Sequence, residues 1–383
     1  MIVFLSRVSK YNYTKFLYMF RLSTLDAKNI VDAIDSRFEK ITVFLDIDNL
    51  FFDLYYDSIY ADINDFLGQL RKSAQEVLYS LFNFQQYLVQ ESQKNNLKYP
   101  TIILYTNFSA PNKILEIMPK YKQHRRILKT LPSTQLIKFL KAKYGEFNVN
   151  EIKSVAKRYF YKLIQNIINN NFRNTVFVIS RNMDSDYIPY LILKTYMKST
   201  NAYFIVSWDK DYIQLLAYNN LFIYRRRNIK VENELIGDYI KVDYKILTGK
   251  NLDIKLKHPL LHPIYLALAG DSSDNIPSLR RRLNIKKVED ILNNYADDLI
   301  KAMQKESIDD VMQVLSNIFK KSVDEPVMQQ LKTNLIVTTF FAQDSLYDQI
   351  DKSFVLNQLK FLNTYHENLT RDKLDEIIAQ NLI

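Results

Sequence analysis

The stretch 41-ITVFLDIDNL-50 decides the fold. Its five apolar or β-branched residues read as a strand buried on both faces, and the run stops at Asp46, with Asp48 two residues on. The pattern returns in TIILY (101–105), TVFVI (175–179), YFIVS (203–207) and LFIYR (221–225), and the first four of these five strands reach a polar or acidic residue within a position or two of their ends. Amphipathic segments lie between them, at about 64–96, 133–144, 150–169, 186–198 and 209–217. Strands alternating with helices predict an α/β domain with a central, mostly parallel sheet flanked by helices. In such a sheet, ligands bind at the carboxyl ends of the strands, where residues from distant parts of the chain meet.

Outward from this core, residues 1–40 carry helical periodicity (Ala27, Ile30, Val31, Ile34, Phe38) without a motif and read as an N-terminal extension. Past a boundary near His258–Pro263 the strand signal stops and helices dominate. The expected division is therefore 1–40, an α/β domain at 41–258, a helical region at 259–342 and a helical tail at 343–383. The 52 Lys+Arg against 42 Asp+Glu give a net charge of +10 and favour a polyanionic partner, though only through non-specific attraction. With no cysteine and four histidines, disulfides and thiolate zinc sites are excluded, and a metal must rely on oxygen ligands, as Mg²⁺ or Mn²⁺ does. No apolar run approaches the roughly 18–20 residues that cross a bilayer, so a cytoplasmic protein without membrane contact is expected.

The acidic residues are placed where such a metal would need them. Asp46 leaves the first strand; Asp209 and Asp211 follow YFIVS; Asp184 and Asp186 precede a helix; Asp271 and Asp274 flank a turn opened by Gly270. Spacing of i, i+2 beyond a strand, or i, i+3 at a helix start, lets both carboxylates of a pair face one side. Any single pair is more often a helix cap or a partner of the helix dipole. Four such sites in one chain point to a divalent-cation centre, because clustered carboxylates repel one another unless a cation neutralises them.

The wording of these motifs resembles the flap-endonuclease/5′→3′-exonuclease family, which includes bacteriophage exonucleases and the nuclease domain of bacterial DNA polymerase I. GDSSDNIP (270–277) is similar to that family's metal-binding turn and SWDKDYIQLL (207–216) to its S-x-D-K-D-x-x-Q-L element. FLDIDNL (44–50) looks like its D-G-x-N-L strand end, PKYKQHRR (119–126) like its P-x-Y-K-x-x-R segment, and QQLKTNLIVTTF (329–340) like a helix that follows its nucleic-acid-binding motif. The resemblance implies a PIN-like fold with a basic helical arch at about 119–160 and a helix-hairpin-helix-type region at 259–342. It further implies that Asp46, Asp184, Asp186, Asp209, Asp211, Asp271 and Asp274 bind two ions of Mg²⁺ or Mn²⁺, and that Lys122 and Arg125 are gateway residues acting on the scissile phosphate. Nucleic acid would be met by Lys120, Lys122, Arg125 and Arg126 of the arch and by Arg280, Arg281, Arg282, Lys286 and Lys287 beyond the turn.

The chain departs from the pattern at three places. Asn107 stands where a second strand-end aspartate is expected, with Asp48 a candidate to compensate; Tyr187 stands for a fourth acid after Asp184, Ser185 and Asp186; and SLRRRLNIKKVEDIL (278–292) replaces the Gly-x-Gly hairpin. The function expected is a structure-specific 5′ nuclease, exonuclease or flap endonuclease, acting as a monomer on DNA or RNA·DNA with a free 5′ end in replication or repair, primer removal included. Its rival is a non-catalytic nucleic-acid-binding protein descended from such a nuclease and impaired at Asn107 and Tyr187. An RNA-cutting toxin-type nuclease is disfavoured, since those proteins generally lack the GDSSDNIP region.

Overall fold

The computed structural model describes residues 22, 24–48, 63–108, 111–123, 134–148, 151–207, 209–231, 234–242, 256–319, 324–364 and 366–381. Six strands form one sheet: β1 (Lys40–Asp46), β2 (Thr101–Asn107), β3 (Thr175–Ser180), β4 (Asn201–Val206), β5 (Leu221–Val231) and β6 (Glu234–Val242), in the order β3-β2-β1-β4-β5-β6. The first five run parallel, and β6 pairs antiparallel with β5. The mostly parallel sheet expected from the apolar runs is therefore present. The extension of β5 to Val231 and the whole of β6 are additions, because 226-RRNIKV-231 and 234-ELIGDYIKV-242 are polar enough to lack the run of a doubly buried strand.

Helices cover both faces. They are α1 (Thr24–Asp32), α2 (Ile63–Lys94), α3 (Asn112–Ile117), α4 (Thr134–Tyr144), α5 (Ile152–Asn171) and α6 (Tyr187–Tyr196), followed by a 3₁₀ turn at Lys210–Ala217 after β4. Alternate residues of each strand enter opposite cores. Val43, Leu45, Leu104, Phe177 and Phe204 pack with α1, α2, α4 and α5, whereas Phe44, Ile103, Val178, Tyr203 and Ile205 pack with α3, α6 and the 3₁₀ turn. Ala27, Ile30 and Val31 of α1 are buried in the first of these cores.

Beyond Leu256 come α7 (His262–Ala269), α8 (Val288–Asn294), α9 (Ala296–Gln304), α10 (Ile308–Phe319) and α11 (Glu325–Thr338), which share a third core that includes Leu268, Leu299, Leu315 and Leu331. The chain returns to the sheet as α12 (Phe340–Gln343), α13 (Gln349–Gln358) and α14 (Arg371–Asn381). Tyr347 and Val355 join the second core, and Leu374, Ile377 and Ile378 the first. Gln358 of α13 satisfies the open edge of β3: its Oε1 accepts from Ile179 N–H at 3.1 Å and its Nε2 donates to Ile179 C=O at 2.9 Å.

One buried amide joins the sheet domain to the C-terminal helices. Gln214 of the 3₁₀ turn donates to the carbonyls of Asp211 and Thr338 at 2.9 and 3.1 Å and accepts from Phe340 N–H at 3.0 Å. Gln214→Leu keeps the volume and strands those buried groups, at about 1–3 kcal/mol for each left unpaired. The expected result is a clearly lowered midpoint of urea unfolding; a midpoint equal to wild type would show that water replaces the amide.

Candidate metal centre

In the sheet order, β2 and β3 lie to one side of β1, and β4 and β5 to the other, so the topology reverses between β1 and β4. That crevice, at the carboxyl ends of the strands, is where doubly wound sheets bind ligands. Asp46 ends β1 opposite Tyr105 of β2, and its Oδ2 accepts a hydrogen bond from Ser207 Oγ, just past β4, at 2.8 Å. Ser207 Oγ in turn accepts from Asp209 N–H at 3.1 Å, and Asp209 Oδ1 caps the 3₁₀ turn by accepting from Asp211 N–H at 2.9 Å. Three acids are thus strung across the crevice by one serine and two backbone amides.

Asp184 and Asp186 come from the turn between β3 and α6, and Asp274 from the turn after α7. The ammonium of Lys122 lies among all three, 3.1 Å from Asp184, 3.2 Å from Asp186 and 3.7 Å from Asp274. Lys122 is held there by its backbone: its N–H donates to Asp274 C=O at 3.0 Å, and its φ of 48° is a left-handed value uncommon for a residue with a side chain. Tyr121 Oη donates to Asp184 at 2.9 Å and to Asp274 at 3.2 Å. Tyr212 Oη, itself accepting from Tyr105 Oη at 2.8 Å, donates to Asp186 at 3.2 Å. The tyrosines give no signal of their own in the sequence beyond belonging to the quoted motifs.

Asp271 stands apart from this group. Its Oδ1 accepts from Ser273 N–H and Oγ at 2.9 and 2.6 Å and pairs with Lys210 Nζ at 2.8 Å. Gly270 makes the turn feasible: its φ is 80°, and a Cβ there would stand 2.6 Å from the backbone nitrogen of Ser278.

The electrostatics follow from this crowding. Burial, then the charges of Asp184, Asp209 and Asp46, push the Asp186 carboxyl well above its ordinary range despite Lys122. Burial, then Asp209, Asp274 and Asp186, do the same to Asp211. Burial opposes the charge on Lys122, but Asp184, Asp186 and Asp274 outweigh it and hold that ammonium well above its usual value. Burial also works against ionised Asp271, yet its hydrogen bonds from Lys210 and Ser273 leave it below the usual carboxylate range.

Lys122 thus stands in for a cation. As the side chains are placed, no three His, Asp or Glu residues among those described form a ready metal-ligating group. The donor set nevertheless fits a hard divalent ion: carboxylate oxygens on separate elements surround the Lys122 ammonium, and among the described residues Asp211 Oδ1 is buried with no hydrogen-bond partner.

The departures from the family pattern have structural partners. Asp48, the candidate to compensate for Asn107, is held by Lys157 Nζ of α5 at 2.5 Å, Thr106 Oγ1 at 2.7 Å and Tyr161 Oη at 3.2 Å. Asn107 Oδ1 accepts from the same ammonium at 3.3 Å. Tyr187 is buried against Tyr190 and Tyr347, and its hydroxyl donates to Asp344, which Lys352 pairs at 2.8 Å. The tail contributes directly, since Tyr347 Oη accepts from Asp184 N–H at 3.2 Å. Of the basic residues expected to meet nucleic acid, Lys120, Arg281, Arg282, Lys286 and Lys287 are exposed, and Arg280 donates to Tyr265 Oη at 3.0 Å. Arg125 and Arg126 lie outside the described residues. Within 278–292, Asn284 takes a left-handed position (φ 51°) in the turn closed by Ile285 N–H on Arg280 C=O.

No protein-family model matches the chain, and no curated protein matches it. Among solved structures it is similar to the bacteriophage T5 D15 flap endonuclease in a pseudo-enzyme-product complex with DNA and metal ions, at 14% identity, 85% of this chain, 100% of that chain and a TM-score of 0.47. It is also similar to the T5 D15 protein co-crystallized with metal ions, at 14% identity, 84% and 99% coverage and a TM-score of 0.49. A third is the T5 5′-exonuclease with zinc bound, at 15% identity, 84% and 99% coverage and a TM-score of 0.45.

Carboxyls that hold their protons more tightly when folded contribute stability below the unfolded pKa of about 3.9, and that contribution is lost as pH rises through the folded value. Asp186 and Asp211 are raised, so in EDTA the melting temperature should fall as pH rises above about 5, where Asp271 and Asp344, both lowered, are already ionised in either state. Mg²⁺ should restore most stability at the high-pH end, and Asp186→Asn should flatten the slope. Calorimetric melts across pH measure this; a rising curve in EDTA would mean that the carboxylates do not crowd one another in solution.

Proposed function

We propose that the chain is a metal-dependent 5′ nuclease, an exonuclease or flap endonuclease that hydrolyses phosphodiesters of DNA or RNA·DNA at the carboxyl ends of β1 and β4. The reading is supported chiefly by Lys122, whose single ammonium lies among carboxylates from two separate turns. Buried carboxylates contribute little stability as a cluster, so such a group in a strand-end crevice is a functional arrangement. The basic residues beyond the Asp271–Asp274 turn, and the net charge of +10, favour a polyanionic substrate. The monomeric state, the replication or repair setting and a cytoplasmic place belong to the same proposal; of the membrane, the described residues show only that no helix is long and apolar enough to cross one.

The acids would hold Mg²⁺ or Mn²⁺, which when bound supplies Lewis-acid stabilisation of the phosphoryl oxygens and acidifies the attacking water. The chain's own residues do the rest. Ser207 and the amides of Asp209 and Asp211 orient Asp46 and Asp209; Tyr121 and Tyr212 hold Asp184, Asp274 and Asp186 by hydroxyl donors, which costs no further negative charge. Lys122, released from the carboxylates, is positioned to carry its ammonium to a scissile phosphate, where charge builds up in the transition state. Tyr347, through the Asp184 amide, ties the site to the tail.

A second reading, a binding protein without catalysis, has its own observation: Tyr187 turns its hydroxyl away to Asp344, and Asn107 adds no charge. A 5′-labelled flap substrate separates the two. Cleavage is expected with Mn²⁺ and not with EDTA, and Asp186→Asn or Asp211→Asn should reduce it by about a thousandfold or more, roughly 4 kcal/mol of barrier, with binding in EDTA retained. Binding without cleavage by wild type under any divalent ion would favour the second reading.

A further inference from the structure

At the carboxyl ends of β1 and β2, beside the acid cluster, a second ammonium is installed. Lys157 Nζ lies 2.5 Å from Asp48 Oδ2 and 3.3 Å from Asn107 Oδ1, and its side chain is only 13% exposed. The arrangement is built, not incidental. Thr106 and Tyr161 hydroxyls donate to the two Asp48 oxygens, Lys157 lies over the Tyr161 ring at 5.7 Å, and Asn107 Nδ2 reaches the carbonyl of Met183, next to Asp184, at 3.4 Å. The Asp48 and Asn107 oxygens at these strand ends are thus already engaged by a positive charge that belongs to the chain.

We propose that Lys157 is a built-in cation that takes the place of one divalent ion. On this proposal, which rests on the nuclease reading above, the protein binds one Mg²⁺ or Mn²⁺ at the Asp184–Asp186–Asp211–Asp274 cluster, and Lys157 supplies fixed positive charge where the sequence pattern led to a second ion. Asn107 then serves as a second acceptor for the Lys157 ammonium. Two positive charges against one Asp48 carboxylate would repel, so lysine and a second ion are alternatives at this position. A consequence is that Asn107→Asp alone tightens the lysine pair and leaves the ion count unchanged.

The test is the number of Mn²⁺ ions bound per full-length chain without nucleic acid, by titration calorimetry and by the electron paramagnetic resonance of free Mn²⁺. Wild type, Lys157→Arg and Asn107→Asp should each bind one ion. Lys157→Met/Asn107→Asp should bind two, and the dependence of single-turnover cleavage on Mg²⁺ should steepen from first towards second order. Circular dichroism melts confirm that each variant is folded, and Lys157→Arg keeps the proposal testable should the double variant not fold, since a second ion binding to it would overturn the assignment. Two ions of comparable affinity in wild type, or one ion in the folded double variant, would likewise overturn it. If wild type binds Mn²⁺ but Asp186→Asn and Asp211→Asn bind it equally well, the nuclease site itself is misplaced, an outcome distinct from a wrong count.

Discussion

The mutual repulsion of buried carboxylates at one crevice is the constraint around which the rest of this molecule is arranged. Asp46, Asp184, Asp186, Asp209, Asp211 and Asp274 arrive from β1, from the turns after β3, β4 and α7, and burial first, then the charges of their neighbours, push the Asp186 and Asp211 carboxyls well above the ordinary range. Such a cluster persists only if positive charge and hydroxyl donors compensate it. Lys122 provides the charge, and Tyr121, Tyr212 and Ser207 the donors. The left-handed backbone of Lys122 and the tight turn at Gly270 are accepted because they place these groups.

The scaffold accounts for the convergence. Strands buried on both faces leave only their ends open to solvent, and the reversal of strand order between β1 and β4 opens the crevice there. The turn carrying Asp271 and Asp274 is presented by the helical region with its own core, and Gln214 ties that region back to the 3₁₀ turn bearing Asp211. The C-terminal helices complete the arrangement, with Tyr347 on the Asp184 amide and Gln358 on the edge of β3.

The positions at which the motifs depart from the pattern they resemble each have partners in the fold. Asn107 accepts from the Lys157 ammonium of α5, and Tyr187 belongs to a buried tyrosine group anchored on Asp344 and Lys352. Asn284, in the basic stretch beyond the Asp271–Asp274 turn, adopts a left-handed conformation, as its short polar side chain permits.

By itself the sequence determined the parallel strands and the helices between them, because doubly buried strands read as unbroken apolar runs. ITVFL, TIILY, TVFVI and YFIVS lie within or largely within β1 to β4, and the helix expected at 64–96 is α2, Ile63–Lys94. The hairpin partner β6 escaped that reading, since Glu234, Gly237, Asp238 and Lys241 interrupt it and no apolar run marks it. Pairings across the chain were decided only by the tertiary structure. That Asp271 belongs to Lys210 while Asp274 belongs to Lys122, that Asp48 is taken by Lys157, and that a tail without a motif supports Asp184 all join residues far apart in sequence. Such contacts leave no periodicity or spacing behind them; they exist because packing brings one end of the sheet, α5 and two turns to the same few ångströms.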